Sequence, residues 1–241
     1  MNVVIAWLMS FMVAMVPPTM KQWYPEAKEA PEAASARYES IATDVSIIVW
    51  DPANPPLFKG PYGREKTAAV LESIMLHEGH FRRDVDYGLG KWGRGDGGRS
   101  WCLMQIRFDS PTGGKTRDWN KTRGHYVLPS DPKTDEIEAG WTGPELIQDR
   151  QKCILTGYRY VQNSFKQCAK LDVLQWLRVY AKGNCDEGEE QSKARMGTAI
   201  NWFNNHRPPF TDKQALQLLT PPTKREVSYL LPSGPEVLAS Q

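Results

Sequence analysis

Residues 64–77, REKTAAVLESIMLH, set the strongest constraint on what this chain can fold into. Ala68, Leu71 and Met75, with Val70 and Ile74, recur at spacings of three and four, which predicts a helix with a wide apolar face. Such a helix is stable only when other elements cover most of it. The pattern therefore predicts one domain wrapped around this segment. Gly79 falls where a C′ glycine would end the helix, which puts Glu78 at its C-terminus. The partial negative charge of a helix C-terminus disfavours an ionised carboxylate, and burial acts in the same direction. Both push Glu78 towards the protonated acid.

The rest of the chain supplies the cover. With 241 residues and 40% hydrophobic composition, it can bury one sizeable core. Tyr38, Ile41, Val45 and Ile48 make one apolar stripe, predicting a helix over residues 33–49. A long helix is predicted over 143–168, with Pro144 suited to its first turn. Further helices are expected over 171–181, from an N-cap at Ser192 to Asn204, and over 211–219. Residues 82–100 are polar and rich in glycine, which suits a loop or small β lobe. The compact run Leu103-Met104-Gln105-Ile106 follows, then a loop-like stretch over 110–140. The fold class read from this pattern is α+β, predominantly α-helical, with a small irregular or β lobe.

Four boundaries divide the chain: an apolar segment at 1–18, a linker and N-terminal helix at 19–63, a central domain at 64–206 and a Pro-rich tail at 207–241. Residues 3–16 carry only Ser10 as a polar residue, yet they fall short of the roughly 20 residues that a membrane span needs. Pro17-Pro18 ends any helix there. Three readings stand for this segment: an uncleaved membrane anchor, an atypical export signal, or an arm that docks on a membrane or protein partner. The four cysteines lack metal-ligand spacing, so two disulfides are expected if the protein leaves the cytoplasm. Three pairings are open. Cys168–Cys185 with Cys102–Cys153 is favoured, because the first closes a short connection between helices.

Several chemistries are poorly served. The net charge of +2, without a basic run interleaved with aromatics, argues against nucleic acid as a partner. His77 and His80 lie three apart, whereas the zinc-binding helix motif needs its histidines at i and i+4, so no metal site is expected there. No G-x-S-x-G occurs, and Gly93-Arg94-Gly95-Asp96-Gly97-Gly98 lacks the strand–helix setting of a phosphate loop. No cofactor is implied. Glycosidic cleavage remains, since it needs an acid held protonated near neutral pH. Glu78 fits that role, and Gln105 offers donor and acceptor together for a sugar amide or hydroxyl. Met104 adds soft apolar surface, and nine Trp and nine Tyr fill a core or offer faces for pyranose stacking.

Three segments carry a resemblance. Ile74-Met75-Leu76-His77-Glu78-Gly79-His80-Phe81 resembles the helix of the soluble lytic transglycosylase and goose-type lysozyme group, where an apolar run precedes the catalytic glutamate, a serine and an aromatic. Cys102-Leu103-Met104-Gln105-Ile106 is similar to that group's Gly-Leu-Met-Gln-Ile/Val segment. Tyr180-Ala181-Lys182-Gly183 sits where the group has Tyr-Asn-Ala-Gly. The resemblance implies a lysozyme-like fold, with peptidoglycan glycan strands as substrate. It implies that Glu78 cleaves the β-1,4 bond between N-acetylmuramic acid and N-acetylglucosamine as acid, then acts as base while a 1,6-anhydro ring closes. Met104, Gln105 and Tyr180 would line the sugar site. It implies an extracytoplasmic setting, in the periplasm or cell envelope and anchored there by residues 1–18 if these hold a membrane, or a virion-associated one. The departures are Gly79 for the serine, Cys102 for the leading glycine, Ala181 for the asparagine and a longer span between Glu78 and Gln105. They leave room for a hydrolytic lysozyme, with Asp84, Asp86 or Asp96 holding water, or for a non-catalytic wall-binding or assembly module.

Overall fold

The computed structural model describes residues 2–108 and 141–219. Among these, helices dominate and one two-stranded antiparallel sheet is present, as the pattern predicts. The helices are α1 (Val3–Met15), α2 (Pro31–Trp50), α3 (Gly63–Gly79), the single turn α4 (Arg83–Asp86), α5 (Gly143–Gln148), α6 (Arg150–Gln167), α7 (Arg178–Lys182), α8 (Glu189–Asn205) and α9 (Asp212–Leu219). Strands β1 (Ser100–Trp101) and β2 (Ile106–Arg107) pair Ser100 with Arg107 and Trp101 with Ile106. The expected loop at 110–140 and most of the expected tail lie outside the described residues.

Helix α3 is the centre of the domain. Its residues from Thr67 to Met75 are buried without interruption. Helices α1, α2, α6, α8 and α9 all pack on it.

The apolar N-terminal segment is one of these covers. Val4, Leu8, Phe11 and Met12 have no exposed surface. Phe11 meets Phe81 and Trp202 edge-on, with ring centroids 6.2 and 5.2 Å apart. Trp7 Nε1 donates to the His206 carbonyl at 2.8 Å, and Tyr38 Oη donates to the Val16 carbonyl at 3.0 Å. A run of this composition without charge suits a helix covered on one broad face by the protein's own core. No helix among the described residues is long and apolar enough to cross a membrane.

Three expectations about helix boundaries change. The helix over 143–168 is broken at Asp149, whose extended backbone ends α5 and whose carboxylate caps α6 by accepting from Lys152 N at 3.2 Å. Ser192 is not an N-cap. It lies inside α8, where its hydroxyl donates to the Leu174 carbonyl at 2.7 Å and accepts from Leu177 N at 3.0 Å. The residues over 171–181 form a short 3₁₀ turn (Val173–Gln175) and then α7, in place of one helix.

Both expected disulfides form, Cys102–Cys153 and Cys168–Cys185. Such bonds persist in oxidising compartments outside the cytoplasm.

Candidate functional site

The site is built on the last turn of α3. Gly79 is not the left-handed terminator that the sequence suggests. That conformation is taken by His80 at φ 53° and Phe81 at φ 50°. Two non-glycine residues in this region carry strain; burial holds Phe81 there, while His80 is exposed. Phe81 is fully enclosed, against Phe11 and Tyr38. Gly79 serves a different need. A Cβ there would stand 2.6 Å from Val85 Cγ1, so the glycine lets α4 close against the end of α3. A serine at this position would meet the same contact.

Glu78 projects from this turn with its side chain one-fifth exposed. Arg195, on α8, donates to Oε1 from Nε at 3.1 Å and from Nη2 at 2.5 Å. Oε2 has no hydrogen-bond partner among the described residues. Burial raises the Glu78 pKa above the ordinary carboxylate range, Arg195 opposes that shift, and the Asp96 carboxylate adds to it. The net direction is the one anticipated from sequence, with desolvation as the main cause.

The register of α8 on α3 is fixed on either side of this pair. Ser73 Oγ donates to the Arg195 carbonyl at 2.7 Å, and His77 Nε2 lies 3.0 Å from Thr198 Oγ1. Burial lowers the His77 pKa, and the charges of Arg195 and His80 act the same way.

The second segment is the turn between β1 and β2. Cys102 and Gln105 both take positive φ, at 61° and 46°. The hairpin lies along α6, bonded to Cys153 and then packed on Gly157 one turn later. A Cβ at Gly157 would stand 2.4 Å from Met104 Cε. Met104 is therefore sealed against the helix, with no exposed surface, and its thioether presents nothing to a sugar. Gln105 is partly buried, and its amide is already engaged. Oε1 accepts from Gly95 N at 3.0 Å, and Nε2 donates to the Cys102 carbonyl at 2.9 Å. It clamps the glycine-rich turn at 95–98 onto the hairpin.

The third segment arrives on α7. Tyr180 Oη donates to the Met104 carbonyl at 2.5 Å, and its ring meets Tyr160 edge-on at 6.3 Å. Burial pushes the Tyr180 hydroxyl up, and the charge of Glu78 reinforces this. Glu78, the Met104–Gln105 turn and Tyr180 are thus brought to one place, although the side chains of Met104 and Gln105 face inward.

Of the three loop carboxylates, only Asp96 acts on Glu78. Asp84 is buried and held by Arg82 at 2.8 and 2.9 Å. Asp86 is buried and held by Arg150 through two contacts of 2.8 Å, which tie α4 to α6. Asp96 is more than half exposed and accepts from Ser100 Oγ at 2.8 Å. A surface hollow of about 340 Å³ is lined by Asp44, Asp86 and Arg150 among others, and none of Glu78, Tyr180 or Arg195 lines it.

Arg195 is the participant that sequence reasoning misses. Ser192, Met196, Ala199 and Phe203 form the buried stripe of α8 and Arg195 is the cation set beside it, a local pattern that does not name its distant partner.

Compared with family models, with curated proteins and with solved structures, the chain matches none.

Proposed function

We propose that this protein cleaves peptidoglycan glycan strands at the β-1,4 bond between N-acetylmuramic acid and N-acetylglucosamine, as a lytic transglycosylase with Glu78 as acid and then base. One observation carries the reading. A carboxyl whose pKa is raised by burial stands at the end of the central helix, beside the two other segments that resemble the transglycosylase group. General acid catalysis needs such a carboxyl, since an ordinary one is ionised at neutral pH. A lysozyme-like fold, with helices around a buried central helix and a small hairpin beside its acidic end, belongs to the same reading. So does a setting in the cell envelope or a virion, for which the two disulfides are suitable.

In this scheme Glu78 Oε2 gives its proton to the glycosidic oxygen, and the muramoyl 6-hydroxyl closes the 1,6-anhydro ring. No second catalytic carboxylate is required. Tyr180 acts on the site by holding the Met104 carbonyl. Gln105 shapes the wall by clamping residues 95–98, so sugar contacts there come from backbone and turn groups. The experiment is Glu78→Gln: the variant folds and no longer solubilises purified sacculi. Undiminished activity in that variant overturns the reading.

A hydrolytic lysozyme is the second reading, and Asp96 favours it. It is the exposed loop carboxylate whose charge reaches Glu78, so it is the one suited to hold an attacking water. Asp96→Asn separates the two, since it abolishes hydrolysis and leaves anhydro-ring formation largely intact. The non-catalytic module has one motive weakened, because the face of residues 3–15 that carries Val4, Leu8, Phe11 and Met12 is spent on the core.

A further inference from the structure

The Arg195 guanidinium is committed to one oxygen of Glu78. Two of its N–H groups converge on Oε1, and its side chain is only about one-tenth exposed. Arg195 is itself held by the Ser73 hydroxyl on its carbonyl, and α8 is held a turn further on by the contact between His77 and Thr198. The backbone that carries the guanidinium is thus fixed against α3 on either side of the pair. We propose that Arg195 is a positioning residue for Glu78, holding Oε1 so that Oε2 alone carries the proton out to the substrate and back.

The inference rests on the transglycosylase reading and gives that single acid its missing counterpart. In the first step the proton leaves Oε2 for the glycosidic oxygen, and the C1–O bond breaks with its electron pair going to that oxygen. Glu78 becomes a carboxylate in a half-buried place, where an unpaired charge is costly. Arg195 holds that charge at Oε1. In the second step the muramoyl 6-oxygen bonds to C1, and its proton passes to Oε2, which restores the acid. No co-reactant is consumed. Without Arg195 a carboxyl buried this far stays protonated more readily, but it loses its orientation and its partner in the ionised state. A fixed guanidinium fork gives both, and a lysine gives only the charge.

The charged and titratable groups around Glu78 are Arg195 on α8, Asp96 on the 95–98 turn, Tyr180 on α7, and His77 and His80 on its own helix end. Among the described residues only Arg195 favours the carboxylate directly, so its removal acts in one direction.

The test combines Arg195→Gln and Arg195→Lys with two readouts. The Glu78 carboxyl is titrated by ¹³C NMR, with Glu78→Gln identifying its resonance. The expected result is an upward movement of the midpoint in Arg195→Gln and a midpoint near the wild type in Arg195→Lys. Turnover of soluble glycan strands is then measured against pH. Arg195→Gln is expected to lose on the order of a hundredfold in kcat with KM little changed, a loss typical of a misplaced reacting group. Its alkaline limb should move to higher pH, and Arg195→Lys should recover the limb but only part of kcat. An unchanged midpoint in folded Arg195→Gln overturns the proposal, as does a loss confined to KM. If Arg195→Gln fails to fold, Arg195→Lys decides alone: wild-type kcat in that variant overturns the proposal. A wild-type protein without turnover removes the functional reading, and the titration still decides whether Arg195 governs Glu78.

Discussion

Replacing Glu65 with Gln should make the stability of this protein less dependent on pH, and the structure sets the size of the effect. Glu65 lies at the start of α3 with no exposed surface, and among the described residues no cationic or hydroxyl side chain donates to its carboxyl. Its neighbour is Asp212, at the start of α9, whose Oδ1 is buried and also lacks a donor. Two carboxyls in contact share a proton instead of ionising together. Burial raises the Glu65 pKa from 4.5 to about 8, the hydrogen bond and charge of Asp212 add to the shift, and Arg64 opposes it. A pKa raised on folding stabilises fully below the unfolded value, and that stability is lost as pH rises towards the folded value. Between pH 4.5 and about 8 the unfolded chain has released a proton that the folded protein keeps. The folding constant therefore falls up to tenfold per pH unit. Roughly 2 to 5 kcal/mol is at stake across that window. Glutamine resembles the protonated acid and can donate to Asp212 at every pH. Urea unfolding of both proteins at half-unit steps from pH 4.5 to 9 is the assay. The variant's advantage should grow from near zero at the acid end and level off above about pH 8. Parallel curves would refute the shared proton. Any contribution of Glu72, also buried and without a hydrogen-bond partner among the described residues, is common to both proteins and cancels.

Three further outcomes test the architecture. Phe11→Ala should cost about 3 to 5 kcal/mol in chemical unfolding, because its ring is fully enclosed against Phe81 and Trp202; a loss below about 1 kcal/mol would place α1 outside the core. Gly157→Ala should cost about 1 to 3 kcal/mol, since its Cβ would meet Met104 at 2.4 Å, and combining it with Met104→Ala should recover part of that loss. His80→Gly should raise the melting temperature by a few degrees, because an exposed residue at φ 53° gives up left-handed strain; a lower melting temperature would show that the histidine is held there by something other than the turn.

How much of this was legible beforehand follows from how local each signal is. The α3 stripe, the acid at its end, the C-terminal helix and the favoured cysteine pairing rest on spacing within one segment or on short connections, and they could be read. The role of α1 could not. Thirteen apolar residues ended by Pro17-Pro18 look alike whether a bilayer, a receptor or the protein's own core covers them, and Phe81 and Trp202 lie far along the chain. Asp149 and Ser192 fail for a related reason. A residue with a short oxygen-bearing side chain inside a helical pattern reads as cap or interior according to contacts with distant segments. Of the candidate site, Glu78 and Tyr180 were legible through their neighbours. Arg195 was not, because its partner is 117 positions away. The sequence also gives no sign that Gln105 spends its amide on Gly95 and Cys102, since both acceptance and donation are to backbone.

The central claim is that Glu78 cleaves glycan strands by acid and then base chemistry with no second carboxylate. Mass spectrometry of purified sacculi digested with the wild-type protein and with Glu78→Gln tests it most directly. The account predicts muropeptides with 1,6-anhydro ends from the wild type and none from the variant. Hydrated reducing ends, or equal products from both proteins, would contradict it.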